Sequence, residues 1–312
     1  MSRLTKGYLI GIIGIVIWST TGILIDYLIT HDHMPPILLS FWRNLLVCIA
    51  LAPALYLIRR SLLRIERAQV RFFAFYGLIL ALFNSVWVLS VQTNGAAVGT
   101  VLAYSSAGFT AILAWWLFRE QLRLPKIIAI ILSLTGCVLV SNAYDPAMWN
   151  LNPMGIITGL ASGILFAGYN LMTKEANKRR ISPWTALLYS FAFSAVFTLT
   201  FNLIPGLPGA AGSFSALLPT LPVNGWITLL VLSFIPTLLG FGLYNMAMNY
   251  LPASTASLLA TTEPAMTAVE AYIFLNERLT LIQVIGSLII LSAVVIARLE
   301  KEPQSEPQTA SA

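Results

Sequence analysis

The sequence predicts an all-α integral membrane protein, with ten transmembrane helices arranged as two inverted five-helix repeats. Three observations predict it. Apolar residues make up 58% of the 312-residue chain and charged residues only 10%, against about 25% charged in an ordinary soluble domain. The basic residues fall on one side of a series of apolar runs. One helix-and-link stretch recurs in both halves of the chain.

The composition corresponds to a mean hydropathy of +0.82. A soluble protein must cover itself with polar groups, and this chain has too few. A bilayer span needs roughly 20 apolar residues. Ten such runs follow one another, at 7–29, 36–58, 69–91, 97–118, 124–142, 153–174, 182–204, 226–248, 253–275 and 280–298. The first is too long for the core of a cleaved signal peptide, and "LITHDHMPP" after it offers no small-residue cleavage site. The tail "EPQSEPQTASA" is polar and proline-rich, and disorder is expected over 301–312. Cys48 and Cys137 both sit inside apolar runs and read as small buried residues, not as a disulfide or a metal pair.

Orientation follows from Lys and Arg, which favour the cytoplasmic side. Arg3 and Lys6 precede the first run; Arg59, Arg60, Arg64, Arg67 and Arg71 link the second and third. Arg119, Arg123 and Lys126 link the fourth and fifth; Lys174, Lys178, Arg179 and Arg180 link the sixth and seventh. Arg298 and Lys301 follow the tenth. With ten spans all sixteen share one side, and of the eighteen basic residues only Arg278 and Arg43 do not. Both termini are therefore expected in the cytoplasm and the chain in the plasma membrane. The same asymmetry accounts for the net charge of +6, so no nucleic-acid partner is needed to explain it.

The repeat appears when 96–124 (AAVGTVLAYSSAGFTAILAWWLFREQLRL) is laid on 253–281 (ASTASLLATTEPAMTAVEAYIFLNERLTL). Nine of 29 positions are identical without a gap, the trace a duplication leaves. Ala103 meets Ala260, Thr110 meets Thr267, Glu120 meets Glu277 and Leu122 meets Leu279. The repeating unit is five spans, so the second copy enters the membrane upside down, which divides the chain into repeats over 1–144 and 145–300. Glu120 then lies on the cytoplasmic side and Glu277 outside. Inverted repeats of this kind are a hallmark of secondary transporters, with a site near the midplane between the halves.

These features resemble the drug/metabolite transporter superfamily, in particular its EamA branch of ten-span carriers, over about residues 7–298. The resemblance rests on the two five-span halves, on the paired helix ends "LFREQL" and "FLNERL", on "TEPAMTAVEAY" entering the ninth span and on "WSTTGI" in the first. The first repeat departs from the pattern by carrying Ala107-Gly108 where a proline is common. The resemblance implies export of small metabolites, often amino acids, through a central cavity. It implies a small-molecule solute and the lipid bilayer as partners, and no cofactor.

Individual residues refine the expectation. Glu263 sits near the middle of the ninth run and is followed at once by Pro264. A charged carboxylate there costs roughly 2.5–3.5 kcal/mol on insertion scales, so such a residue faces a cavity or a partner. Pro264 removes a backbone donor and breaks the helix. Two readings stay open: Glu263 titrates or meets a substrate ammonium group in a cavity, or it braces the break. Arg43, Glu270 and Asp26 share the outer half of the bilayer. A static ion pair between Arg43 and Glu270 is preferred to an outer gate that breaks in transport. Trp18, Asn84, Trp87, Tyr104, Tyr169, Asn170, Tyr244 and Asn245 fall near mid-span, where interfacial belts do not explain Trp and Tyr. They are candidates for lining the substrate cavity, with packing as the alternative for each. Gly155, Gly159 and Gly163 in "GIITGLASG", and Gly7 and Gly11 in "GYLIG", form faces that let helices approach closely. Packing within one bundle, as a monomer, is preferred to homodimerisation.

A Walker loop and an HExxH motif are absent, which argues against an ATP-driven pump and a zinc protease. His31 and His33 in "THDHMPP" are weak grounds for a metal, and none is expected. The reading is a secondary active transporter that exports small amphipathic metabolites such as amino acids by alternating access. A passive channel or facilitator is the first alternative, and a polytopic membrane enzyme the second.

Overall fold

A bilayer offers no water to unpaired backbone groups, so a chain this apolar spans it as helices. The computed structural model describes residues 2–146, 153–275 and 280–299, and among these all regular elements are helical. Glu277, Arg278 and the tail 301–312 lie outside the described residues. Among the described residues eight stretches are long and apolar enough to cross a membrane, and Leu124–Val140 is a shorter ninth. The remaining expected span, 253–275, is helical but split. The chain is a ten-helix membrane protein.

The first span is α1 (Arg3–Trp18), α2 (Thr21–Asp26) and a π-helical turn, Tyr27–His31. The second is α3 (Pro36–Arg59). Helical residues run without interruption through α4 (Arg67–Tyr104), where a link at 92–96 was expected. A straight helix of that length would reach about 57 Å at 1.5 Å per residue, nearly twice a bilayer core. The chain instead turns back on itself: a β-carbon on Gly99 would lie 3.0 Å from the backbone nitrogen of Val91. So α4 supplies the third span and the start of the fourth, which α5 (Ser106–Phe118) completes. The fifth to seventh spans are α6 (Leu124–Val140), α7 (Pro153–Lys178) and α8 (Pro183–Asn202). The eighth joins α9 (Val223–Leu232), a π-helical stretch Ser233–Gly240 and α10 (Phe241–Ala247). The ninth is α11 (Ala253–Ala260) and α12 (Glu263–Leu275), and the tenth α13 (Leu281–Leu299).

The helix pairs obey a pseudo-two-fold. The fifth span packs on the tenth and the second on the seventh. The first span packs on the eighth as the sixth packs on the third, and on the ninth as the sixth packs on the fourth. Glycines permit the closest crossings. A β-carbon on Gly136 would lie 2.8 Å from the carbonyl oxygen of Gly286, and one on Gly286 3.0 Å from that of Gly136. Gly7 and Gly11 face Tyr250, Leu251 and Leu259, while Gly159 and Gly163 face Leu102, Ser90 and Ser105. Both small-residue faces are used inside the bundle.

The start of α1 and the end of α13 lie on one face of the bundle: Arg298 Nη2 is 3.4 Å from Thr5 Oγ1, and Arg3 Nη2 donates to the Asn249 carbonyl at 3.2 Å. The basic links join them there. Arg179 lies over the Phe72 ring, Lys178 over Phe118, and Lys174 Nζ donates to the Leu251 carbonyl at 2.7 Å. This is the terminal face; the opposite one is the far face.

Candidate functional site: a cavity among broken helices

Three spans are interrupted near mid-membrane, and hydroxyl side chains write each interruption. Ser and Thr hydroxyls can bond a carbonyl one turn back, which competes with the helix ladder and bends it. Ser19, Thr20 and Thr21 bond the carbonyls of Val16, Ile17 and Trp18 between α1 and α2. Ser105 Oγ bonds the Leu102 carbonyl at 2.6 Å between α4 and α5. Thr261 and Thr262 bond Leu258 and Leu259 between α11 and α12. Ser105 and Thr262 are equivalent in the internal repeat, 157 residues apart. The fourth span therefore breaks where the ninth does, although it lacks the proline. Pro264 stands in the first turn of α12, where its missing N–H costs no ladder bond.

Around these breaks lies a small cavity of about 30 Å³. Trp18, Phe83, Trp87, Tyr104, Phe166 and Phe241 form its aromatic walls. Thr21, Arg43, Asn84, Thr100 and Glu263 supply its polar groups. These residues sit at the midplane or in the half nearer the far face.

Arg43 is 2% exposed. Its Nη2 donates to Asn84 Oδ1 at 2.6 Å, and Asn84 belongs to a buried amide chain through Asn44 to Ser194. Its Nε has no hydrogen-bond partner. The expected ion pair with Glu270 is not formed. Glu270 lies on the first span's side of the bundle, where Oε1 accepts from Ser19 Oγ at 2.6 Å and Oε2 is unpartnered. Thr267 Oγ1 also donates to the Ser19 carbonyl at 3.0 Å, so α12 is tied to the first span at its break. Asp26 is exposed at the end of α2 and joins neither. Ion pairs among the described residues include Arg179–Glu175, and His31 Nδ1 lies 3.0 Å from Asp32 Oδ1.

Glu263 is the first residue of α12, a position where the helix dipole favours a carboxylate. It is 8% exposed and accepts a hydrogen bond from the Tyr104 hydroxyl. That bond joins the broken fourth span to the broken ninth across the repeat interface.

Of the nine residues expected to line a cavity, Trp18, Asn84, Trp87, Tyr104 and Glu263 do so. Tyr169, Asn170, Tyr244 and Asn245 lie outside that lining, fully buried. The Tyr169 hydroxyl accepts from Asn245 Nδ2 at 2.9 Å, and the Tyr244 hydroxyl donates to Asn170 Oδ1 at 3.1 Å. Asn170 Nδ2 donates to Thr110 and Ser257. This network fills the half of the bundle nearer the terminal face. Sequence reading missed Phe83, Phe166 and Phe241, because a phenylalanine facing a cavity and one facing lipid look alike in a sequence.

A family model matches the chain twice, over residues 5–142 and 153–299, and is described as the EamA-like transporter family. The chain belongs to this family. Similar proteins cover most of the chain. A probable amino-acid metabolite efflux pump of Salmonella typhimurium is 24% identical over 299 residues, covering 95% of each chain. Its namesake from Escherichia coli is 23% identical over 306 residues. An Archaeoglobus fulgidus protein named as an uncharacterized transporter is 29% identical over 222 residues, 70% of this chain and 74% of that one. One solved crystal structure superposes with a TM-score of 0.75 over 96% of this chain and 98% of its own, at 16% identity, and so shares the fold. This EamA protein is a multi-pass membrane transporter; the family is one of transporters and not of enzymes.

Proposed function

We propose that this EamA transporter exports small zwitterionic metabolites with an apolar side chain, amino acids first among them, by alternating access. One observation carries the reading: a single cavity presents a buried guanidinium with an unused donor and a carboxylate, between aromatic walls. Arg43 would take a carboxylate and Glu263 an ammonium group, both by charge-assisted bonds. The aromatic walls would hold the side chain. Ligand sites of roughly 300–1,000 Å³ suit one small molecule; the cavity, about 30 Å³ here, is smaller, so a solute would enter it as the halves move apart. The efflux pumps named for amino-acid metabolites support the same class. The repeats over 1–144 and 145–300 would rock about the fixed site.

Flux into proteoliposomes tests the class. Large neutral amino acids are expected to saturate and to exchange with one another, which a passive channel would not show. Their N-acetyl and carboxamide derivatives each remove one charge and are expected to lose roughly tenfold or more in apparent affinity. Equal transport of free and blocked forms would sink the zwitterion reading.

The terminal face is assigned to the cytoplasm, because it gathers the basic links, and the membrane to the plasma membrane, the inner one in a two-membrane cell. A cysteine at the exposed Tyr144 is expected to react with an impermeant maleimide added outside whole cells, and one at the exposed Arg64 is not. The reverse pattern would overturn the orientation.

A further inference from the structure

The repeated Glu-X-Leu ending the fourth span has a definite place in the fold. Leu122 packs beside a buried cluster that includes Ala129, Ile130 and Leu258. Glu120 reaches across the terminal face to α11. Its Oε1 accepts from the backbone N–H of Ala253 at 2.8 Å; its Oε2 accepts from the Ser254 N–H at 3.3 Å and hydroxyl at 2.5 Å. The first N–H groups of a helix have no partner within it. Pro252 precedes α11 and supplies no side-chain cap, so the carboxylate of another span provides it. Lys126, 4% exposed, donates to the same Ser254 hydroxyl at 3.2 Å.

The other end of this link is held with the opposite charge. Lys174 Nζ donates to the carbonyls of Met248 and Leu251, where α10 ends. A cation at a helix C-terminus and an anion at a helix N-terminus are the signs the dipole favours. Both clamps lie on the terminal side of the cavity, and α11 runs from Glu120 directly to the break before Glu263.

We propose that Glu120 is a positioning residue, the latch of a gate on the terminal face. Bound to α11, it keeps the tyrosine–amide half of the bundle shut while the cavity lies toward the far face. Its release frees α11 to move at the Thr261-Thr262 break and opens the cavity to the terminal face. The inference rests on alternating access but not on the nature of the solute. It is therefore tested without any solute, so its failure is distinguishable from failure of the amino-acid reading.

The probe is a cysteine at Ser257, which is 1% exposed and lies between the latch and Glu263. Cys48 and Cys137 are replaced by alanine, and the full chain is held in membrane vesicles of known orientation. With Glu120 present, an impermeant maleimide at the terminal face is expected to react slowly. Glu120→Ala is expected to raise that rate about tenfold, a usual size for a coupling between two states. A second probe, Thr100→Cys in the cavity, is expected to react more slowly from the far face in the same variant. Glu120→Gln keeps an oxygen for the Ala253 N–H but cannot accept from Ser254 with its amide nitrogen, and falls between. If Glu120→Ala does not fold, Ser254→Ala keeps the backbone cap and loses the hydroxyl bridge; a smaller change in the same direction is expected. An unchanged Ser257→Cys rate overturns the latch. Faster reaction of both probes also overturns it, because that is general loosening and not a shift between two closed faces.

Discussion

Arg43→Met is expected to weaken binding of a zwitterionic solute by roughly 100-fold, which is about 2.7 kcal/mol, while leaving the melting temperature nearly unchanged. The two halves of this expectation come from one observation. Had Arg43 been paired with Glu270, its removal would strand a buried acid and cost roughly 3–5 kcal/mol of stability. The structure shows no such acid: the guanidinium bonds Asn84 and leaves Nε without a partner. An unpaired buried charge is costly in the empty protein, so a methionine of similar reach relieves that cost and offsets the bond lost by Asn84. The same charge would have its full value when a solute carboxylate arrives. Calorimetric binding and thermal unfolding of the purified variant in detergent check both halves. A large fall in melting temperature with affinity intact would make Arg43 a structural residue and remove it from the site.

Glu263→Gln is expected to weaken solute affinity roughly tenfold and to abolish accumulation against a gradient, while exchange of solute for solute continues at saturating concentration. The amide still accepts the Tyr104 hydroxyl's hydrogen bond, so the tie between the fourth and ninth spans persists. What the variant loses is the ability to change charge. Net uphill movement driven by protons needs a group that binds and releases one per cycle, whereas exchange returns the carrier each time with solute aboard and needs none. Flux in proteoliposomes, with and without an imposed pH gradient, should show wild-type accumulation and variant accumulation at the level of protein-free vesicles. Equal gradient-driven flux in both proteins would exclude proton coupling through Glu263 and leave it as the brace of the helix break.

The ten spans were legible in the sequence because a bilayer leaves the backbone few alternatives, and the repeat because "LFREQL" and "FLNERL" keep their spacing from it. Mid-span polarity marked the bundle interior correctly at Trp18, Asn84 and Tyr104, but not depth along the axis. Tyr169 and Asn245 carry the same signal and lie in the network nearer the terminal face. The Arg43–Glu270 pairing failed for a related reason. Equal depth in the membrane does not place two residues on facing sides of their helices, and Asn84 reached Arg43 while Ser19 reached Glu270. The broken fourth span was hidden by looking for a proline. Its signal was Ser105, the counterpart of Thr262 in the ninth span, with Ser19-Thr20 playing the same part in the first.

That difference between the two repeats has a kinetic consequence. A serine hydroxyl can let go of the carbonyl it holds and allow the main-chain ladder to close again, whereas a proline has no hydrogen to give back. The fourth span could therefore close its ladder at the break, whereas the ninth has no N–H at Pro264 for the same bond. Under alternating access, two gates of common ancestry would thus open over unequal barriers. At equilibrium the opposing fluxes still balance, as they must. Away from it, the outward and inward limbs of such a cycle would saturate differently, and a carrier built from duplicate halves would run as a lopsided one.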